Sequence, residues 1–119
     1  MVGLGGFIGA ILRFLVGSVA QQAAGGPFPW GTLTVNAVGS LLLGLLAGLV
    51  ESRGLFSPEM RLLLMTGILG AFTTFSTFSY ETIFLWSQER PALALLNVVA
   101  QLVLGLGAAW VGYVVARTA

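Results

Sequence analysis

The sequence predicts an all-α membrane protein with four transmembrane helices in a single domain, residues 1–119. Of its 119 residues, 57% are hydrophobic and only 8% are charged, whereas about a quarter of the residues are charged in a soluble globular domain. A soluble domain of this length could not bury so much apolar surface. Lipid is therefore the expected solvent for most of the side chains.

Four apolar stretches are separated by short clusters of charged or turn-forming residues. They run over about residues 3–20, 31–50, 61–86 and 91–116, and each is long enough for a membrane helix, which needs about 20 residues. The first loop is marked by Gly25, Gly26 and Pro27. Ser57 followed by Pro58 is typical of a helix start, so the third helix is expected to begin there.

The positive charges favour one orientation in the membrane only slightly. If there are four spans, both termini lie on the same side as the second loop, and this side carries Arg53, Arg61 and Arg117 against Arg90 on the other. This bias favours internal termini. A bias so weak is typical of a protein that inserts in both orientations, and also of any small protein with few charges.

Several chemistries are excluded by composition. The chain has no cysteine and no histidine, which removes thiolate chemistry, disulfides, most zinc or copper sites and the commonest general base. No pair of carboxylates is placed for acid–base work, so an enzyme is not expected. A net charge of +1 offers no basic face for nucleic acid.

The most unusual segment is GILGAFTTFSTFSYE, residues 67–81, because it places five Ser and Thr hydroxyls within seven residues of an apolar span. Threonine is β-branched, and such hydroxyls compete for helix carbonyls. Irregular backbone at membrane depth is tolerated only where it is buried or lines a cavity. We therefore predict a third helix that is broken near the bilayer midplane, the alternative being an intact helix with back-bonded hydroxyls.

Other polar residues and small residues within the spans are candidates for function or for packing. Asn36 is a polar side chain deep in the second span, where it serves either a functional site or interhelical hydrogen bonding. The remaining polar candidates are Arg13, Glu81, Asn97 and Gln101. Glycine pairs at GxxxG spacing, Gly5 with Gly9 and Gly44 with Gly48, are expected mainly to pack helices within one subunit.

Three segments together resemble the signatures of the Fluc, or CrcB, family of fluoride channels. They are GGFIGAILRF at residues 5–14, GTLTVNAVGS at 31–40 and GILGAFTTFSTF at 67–78. The resemblance extends over the whole chain in length, number of spans and order of motifs. It implies passive, electrodiffusive export of cytoplasmic fluoride through two pores of an antiparallel, dual-topology homodimer in the inner (plasma) membrane, with a structural sodium ion at the dimer centre.

The resemblance also assigns roles by position. Asn36 would be a pore donor, and Phe75 and Phe78 would be pore phenylalanines that reach a given pore from opposite subunits. Ser76, Thr77 and Glu81 would belong to the polar track or its vestibule. The backbone carbonyls of Gly70 and Thr73 would bind the sodium ion. Arg13 would be a structural residue near an entrance.

Two departures from the family pattern and two rival functions stay open at this stage. Ala71 stands where the family often has glycine, and Asn97 and Gln101 stand where it often has tyrosine and serine. A small multidrug-type exporter is also a four-span protein, but that class needs a carboxylate in the first span, where this chain has Arg13. A non-transporting membrane subunit is the second rival. A partner chain that forms a heterodimer is a further alternative to the homodimer.

Overall fold

The computed structural model describes residues 1–118 and consists of helices joined by short loops. Helix α1 is Val2–Ala24, α2 is Trp30–Arg53 and the last helix, α5, is Pro91–Thr118. Between α2 and α5 the chain forms the span Pro58–Ser87. All four spans are long and apolar enough to cross a membrane, and each predicted stretch lies inside one of them.

The third span consists of two helices with extended backbone between them. Helix α3, residues 58–72, comprises Pro58–Arg61, the π-helical segment Leu62–Leu69 and Gly70–Phe72. Helix α4 is Phe75–Ser87. Thr73 and Thr74, which we call the break, have φ/ψ of −93°/158° and −153°/122°. The break is at the centre of the 30-residue span, while the π-helical segment was not predicted.

Local sequence signals explain the helix ends on either side of the loops. Gly25 and Gly26 have φ of 69° and 78°, a left-handed region that glycine enters without steric cost. Ser57 begins α3 as predicted, because its hydroxyl accepts a hydrogen bond from the Met60 N–H at 3.2 Å while Pro58 occupies the first helical position.

The glycine pairs pack helices together inside the subunit, as predicted. A Cβ atom on Gly5 would lie 2.5 Å from the Leu63 carbonyl oxygen, and one on Gly9 would collide with the Ile68 carbonyl. These two residues therefore allow α1 to lie against the π-helical segment of α3. In the same way, Gly44 lets α2 approach the backbone of α5 at Ala109.

Large apolar side chains cover much of the outer surface. Phe7, Phe14, Trp110 and many leucines and valines are exposed, whereas the interior contains few bulky residues, among them Leu33, Val35 and Phe72. A polar solvent would penalise such a surface. The distribution is therefore that of a protein whose helices face lipid or a partner subunit.

Candidate functional site

Asn36 on α2 forms hydrogen bonds with the backbone of the break, at Thr74, which is 38 positions later in the sequence. The Asn36 side-chain oxygen accepts a hydrogen bond from the Thr74 N–H at 2.8 Å, and its amide nitrogen donates to the Thr74 carbonyl at 3.1 Å. One side chain thus satisfies both backbone groups of Thr74, much as a neighbouring strand would. This contact compensates for the helical hydrogen bonds that the extended backbone gives up.

Helix α4 begins immediately after the break with a side-chain cap. The Thr74 hydroxyl accepts a hydrogen bond from the Thr77 N–H at 3.3 Å and lies 3.2 Å from the Thr77 hydroxyl. It also lies 3.3 Å from the Ser76 hydroxyl. Threonine favours this position because its oxygen satisfies an N–H that has no intrahelical partner. Three of the five clustered hydroxyls therefore serve the start of α4.

The carbonyls at the end of α3 have unequal partners. The Leu69 carbonyl accepts from the N–H and from the hydroxyl of Thr73. The Ala71 carbonyl accepts from the Nε–H of Arg13 on α1 at 3.0 Å. In an α-helix the Gly70 carbonyl would accept from the Thr74 N–H, but this N–H donates to Asn36 instead. The Gly70 carbonyl is thereby deprived of its usual helical donor.

One side of the break opens into a recess of about 320 Å³, which we call the groove. It is lined by polar groups on α2, α5 and the break and by two rings of α4, including Asn36, Thr73, Thr74, Phe75, Phe78 and Gln101. The two rings pack edge to face, with centroids 5.5 Å apart. Phe75 is 77% exposed and projects from the subunit. The groove is thus mainly apolar, with amide groups on one wall.

The other side of the break faces a second recess of about 380 Å³, which we call the polar cavity. Its lining includes Arg13, Gln21, Thr32, Thr74, Thr77 and Glu81. One carboxylate oxygen of Glu81 is buried with no hydrogen-bond partner among the described residues. Thr74 lines both recesses, so the break is the wall between them.

A series of side chains extends from Asn36 into the interior, and we call Asn36, Gln101, Asn97 and Thr82 the amide chain. Asn36 donates to the Gln101 side-chain oxygen at 3.0 Å, and Gln101 donates to Asn97 at 3.5 Å. Asn97 donates to the Thr82 hydroxyl at 2.9 Å, and this hydroxyl donates to the Phe78 carbonyl at 2.8 Å. Asn97 is 0% exposed, so it lies behind the groove rather than in its wall.

The structure divides the residues named from the sequence between the two recesses. Asn36, Phe75 and Phe78 meet in the groove, while Arg13, Thr77 and Glu81 meet in the polar cavity. Ser76 lies beside the Thr74 hydroxyl at the start of α4. Helix α3 ends at Phe72, and the Thr73 hydroxyl next to its end bonds back to the Leu69 carbonyl.

Sequence reasoning did not find two features of this site. The role of Thr82 in the amide chain was missed, although its spacing from Phe78 places its hydroxyl within reach of that carbonyl. The contact between Arg13 and Ala71 joins residues 58 positions apart. A sequence pattern contains no sign of such a pairing, because it depends on how α1 packs against α3.

The sequence is similar to that of known proteins. Residues 1–113 match the family model described as CrcB-like protein, Camphor Resistance (CrcB). The chain is 46% identical over 117 residues to the fluoride-specific ion channel FluC of Agrobacterium fabrum, covering 98% of this chain and 94% of that protein. It is also 46% identical over 112 residues to the fluoride-specific ion channel FluC 1 of Methanosarcina acetivorans, covering 94% and 85%.

A third relative comes from another bacterium. The fluoride-specific ion channel FluC of Nitratidesulfovibrio vulgaris is 44% identical over 112 residues, which covers 94% of this chain and 90% of that protein. The family match, residues 1–113, includes the break and the residues that line both recesses. The chain belongs to the CrcB-like protein family.

Proposed function

We propose that the protein is a fluoride-selective channel, which exports cytoplasmic fluoride by passive electrodiffusion and is not an enzyme. The observation that carries the proposal is the groove, where the Asn36 amide, the Phe75 and Phe78 rings and an interrupted helix meet. The names of its relatives as fluoride-specific ion channels support it.

The groove has the chemistry that a small, strongly hydrated anion requires. A selective pore must replace the water around its ion with groups fixed in a narrow path. Amide N–H groups donate hydrogen bonds, and a phenyl ring has an electropositive edge. The N-terminal end of α4 adds N–H groups and a positive partial charge at the break. Together Asn36, Phe75 and Phe78 would supply a path that favours an anion over a cation.

The functional unit in this proposal is an antiparallel homodimer with two pores. One subunit leaves the groove open on the side from which Phe75 projects. A second copy inserted in the opposite orientation would close the groove. The family resemblance implies that each pore takes Phe75 from one subunit and Phe78 from the other, whereas within one subunit both rings line the same groove. The weak bias of the arginines in the loops is compatible with insertion in both orientations. Insertion in the inner membrane would let fluoride leave the cytoplasm.

A sodium ion at the centre of the dimer is part of the proposal. Hard cations bind oxygen ligands such as backbone carbonyls. The Gly70 carbonyl has lost its helical donor to Asn36, and Thr73 has extended backbone outside the helix. The donor set therefore fits, and two copies would supply four carbonyls. A bound cation there would offset part of the cost of placing an anion in a low dielectric.

Neither rival function explains the site as well. A multidrug-type exporter needs an acidic residue in the first span, whereas α1 places Arg13 in the polar cavity. A non-transporting subunit needs polar groups only as fasteners between helices. Such a subunit gives no reason for a groove in which Asn36, Phe75 and Phe78 meet.

Fluoride efflux from proteoliposomes, followed with a fluoride electrode, tests the proposal directly. The purified protein alone is expected to release fluoride without proton coupling and to conduct little chloride. Phe75→Ile removes the aromatic ring edge and is expected to abolish efflux. Leu106→Ile, which changes another apolar residue of the groove, is the matched control and should retain efflux.

Three results would contradict the proposal. They are fluoride efflux that survives Phe75→Ile, an appreciable chloride conductance, and release of protons when substrate binds. The last would favour the exporter. An inert purified protein that acts only together with another chain would contradict the homodimer and favour either a heterodimer or the non-transporting subunit.

A further inference from the structure

The amide chain has a direction that its ends determine. The Thr74 N–H is only a donor and the Thr74 carbonyl is only an acceptor, so the oxygen and nitrogen of Asn36 can face them in one way only. The Asn36 nitrogen then requires an oxygen from Gln101. In each later hydrogen bond, the donor is the residue closer to Asn36 along the amide chain.

As a result, the groove offers few donors in this state of the protein. An amide nitrogen has two hydrogens, and those of Asn36 are both committed, one to the Thr74 carbonyl and one to Gln101. Gln101 presents its oxygen to Asn36, and its own nitrogen is directed toward Asn97 at 3.5 Å, the longest link in the chain. An anion beside Asn36 must therefore displace the Gln101 oxygen.

Both interior links of the amide chain can also form in the opposite direction. If the side-chain amides of Gln101 and Asn97 both rotate so that their oxygen and nitrogen atoms trade places, Asn97 donates to Gln101 and the Thr82 hydroxyl donates to Asn97. Thr82 then gives up its bond to the Phe78 carbonyl. That carbonyl keeps its helical partner, the Thr82 N–H, since both residues lie in α4.

Reversal leaves two N–H groups, those of Asn36 and Gln101, facing the same point in the groove. Two donors facing each other repel unless an acceptor lies between them, and an anion is the strongest acceptor for both. Before reversal, the same position holds a donor paired with an oxygen. The chain therefore has two arrangements. The observed one has four hydrogen bonds, whereas the reversed one keeps the two interior links and replaces the bond between Asn36 and Gln101 with two bonds to an anion, so it is populated only when an anion binds.

We propose that Gln101 is an anion-coupled latch. In the empty groove its amide oxygen accepts a hydrogen bond from Asn36, and after the amide chain reverses, its amide nitrogen donates a hydrogen bond to the ion. The inference rests on the proposed fluoride channel and adds a specificity-determining residue to it. Thr82 acts through Asn97 as a positioning residue, because its hydroxyl can donate to either neighbour. An anion that accepts hydrogen bonds only weakly would not compensate for the lost Asn36–Gln101 bond, so the latch favours ions with concentrated charge.

The test follows the side-chain amide of Gln101 in protein labelled with ¹⁵N-glutamine and reconstituted in lipid nanodiscs. Its NH₂ resonances are identified by their absence in Gln101→Met. They are expected to move when sodium fluoride is added and not when sodium chloride is added at equal ionic strength. The resonances of Gln88, an exposed residue beyond the end of α4, should remain in place.

Variants of Thr82 test whether the shift of the Gln101 resonances comes from reversal of the amide chain or only from an ion that lies nearby. Thr82 does not line the groove, yet Thr82→Val removes the hydroxyl that must donate in the reversed chain. This variant is expected to lose the fluoride-induced shift of Gln101, whereas Thr82→Ser retains it. Fluoride efflux should fall roughly tenfold or more in Gln101→Met, which loses one donor to an ion, and stay unchanged in the control Gln22→Met, an exposed position on α1.

The outcomes distinguish this inference from the proposed function. If the wild-type protein carries no fluoride, both fail. If it carries fluoride while the Gln101 resonances do not respond, the latch is wrong and the channel stands. The latch is also wrong if Thr82→Val shows the same shift and efflux as the wild-type protein.

Discussion

The two recesses on either side of the break differ in how their polar atoms are satisfied. In the groove, the Asn36 and Gln101 amides are hydrogen-bonded to the protein, and the other walls are largely apolar. In the polar cavity, one oxygen of Glu81 has no partner among the described residues, although Arg13 lines the same space. The amides of the groove are thus paired within the protein, whereas one carboxyl oxygen in the polar cavity has no partner among the described residues.

The contrast indicates different tasks for the two regions. A paired site binds an ion only by exchanging bonds, and this exchange is a source of selectivity. A cavity with charged groups attracts ions and water without discriminating between them closely. We therefore expect substitutions of the amide side chains in the groove to change flux strongly, and those in the polar cavity to act mainly through the stability of the break.

The largest effect is expected from Asn36→Ala, since Asn36 belongs to the groove and also holds the break. The variant leaves the N–H and carbonyl of Thr74 without their partner, at about 1–3 kcal/mol for each orphaned group. Fluoride efflux should fall by about two orders of magnitude or more, and thermal unfolding in detergent should occur at lower temperature. Ser40→Ala, in the same groove, should stay close to the wild-type protein. Normal efflux in Asn36→Ala would remove the distinction between the recesses.

Gly39→Ala tests whether the break tolerates displacement. A Cβ atom on Gly39 would collide with the Thr73 side chain and lie 3.1 Å from the Phe72 ring. Overpacking of this kind costs about 1–3 kcal/mol, so a lower unfolding temperature and efflux reduced about tenfold are expected. Gly107→Ala is the matched control, because a Cβ there meets nothing within 4 Å. Equal behaviour of the two variants would show that the break does not depend on close contact with α2.

The sequence predicts the helices better than it predicts the relation between them. Gly25, Gly26 and Ser57 act within a few residues, so their effect on helix ends can be read locally. The break has a local component in the capping by Thr74, but its geometry depends on Asn36, and no rule of propensity connects positions 38 apart. The sequence of the π-helical segment Leu62–Leu69 also contains no pattern that predicts a π-helix.

The division of the site into two recesses could have been inferred from helical spacing. Thr77 and Glu81 are four residues apart and share one face of α4, whereas Phe75 and Phe78 share another. The family resemblance grouped Asn36, Thr77 and Glu81 along one path. The direction of the amide chain, in contrast, could not be inferred, because it requires the partners of Asn97 and Gln101.

Arg13→Met is expected to have an intermediate effect that separates charge from hydrogen bonding in the polar cavity. It leaves the Ala71 carbonyl without the Arg13 donor, which costs about 1–3 kcal/mol if the carbonyl stays dry. Unfolding should occur at lower temperature and efflux should fall severalfold. Arg13→Lys keeps the charge but not the planar Nε–H donor. If the bond to Ala71 matters, its unfolding temperature and efflux should resemble those of Arg13→Met. Full recovery in Arg13→Lys would show that the charge alone is required.

The smallest effect on flux is expected from Glu81→Gln, and it is the sharpest test of the contrast between the recesses. The substitution preserves the size of the side chain and replaces a carboxyl group of which one oxygen is buried without a partner among the described residues, an arrangement that costs free energy in a low dielectric. Thermal unfolding should therefore occur at the same or a higher temperature, and fluoride efflux should change by less than about threefold, since a charge in the polar cavity does not enter the exchange of bonds in the groove. Ser18→Ala removes another polar group from the same cavity and serves as the control for polarity alone. A loss of efflux in Glu81→Gln as large as that in Asn36→Ala would mean that the ion passes the carboxylate, and the polar cavity would then belong to the selective path.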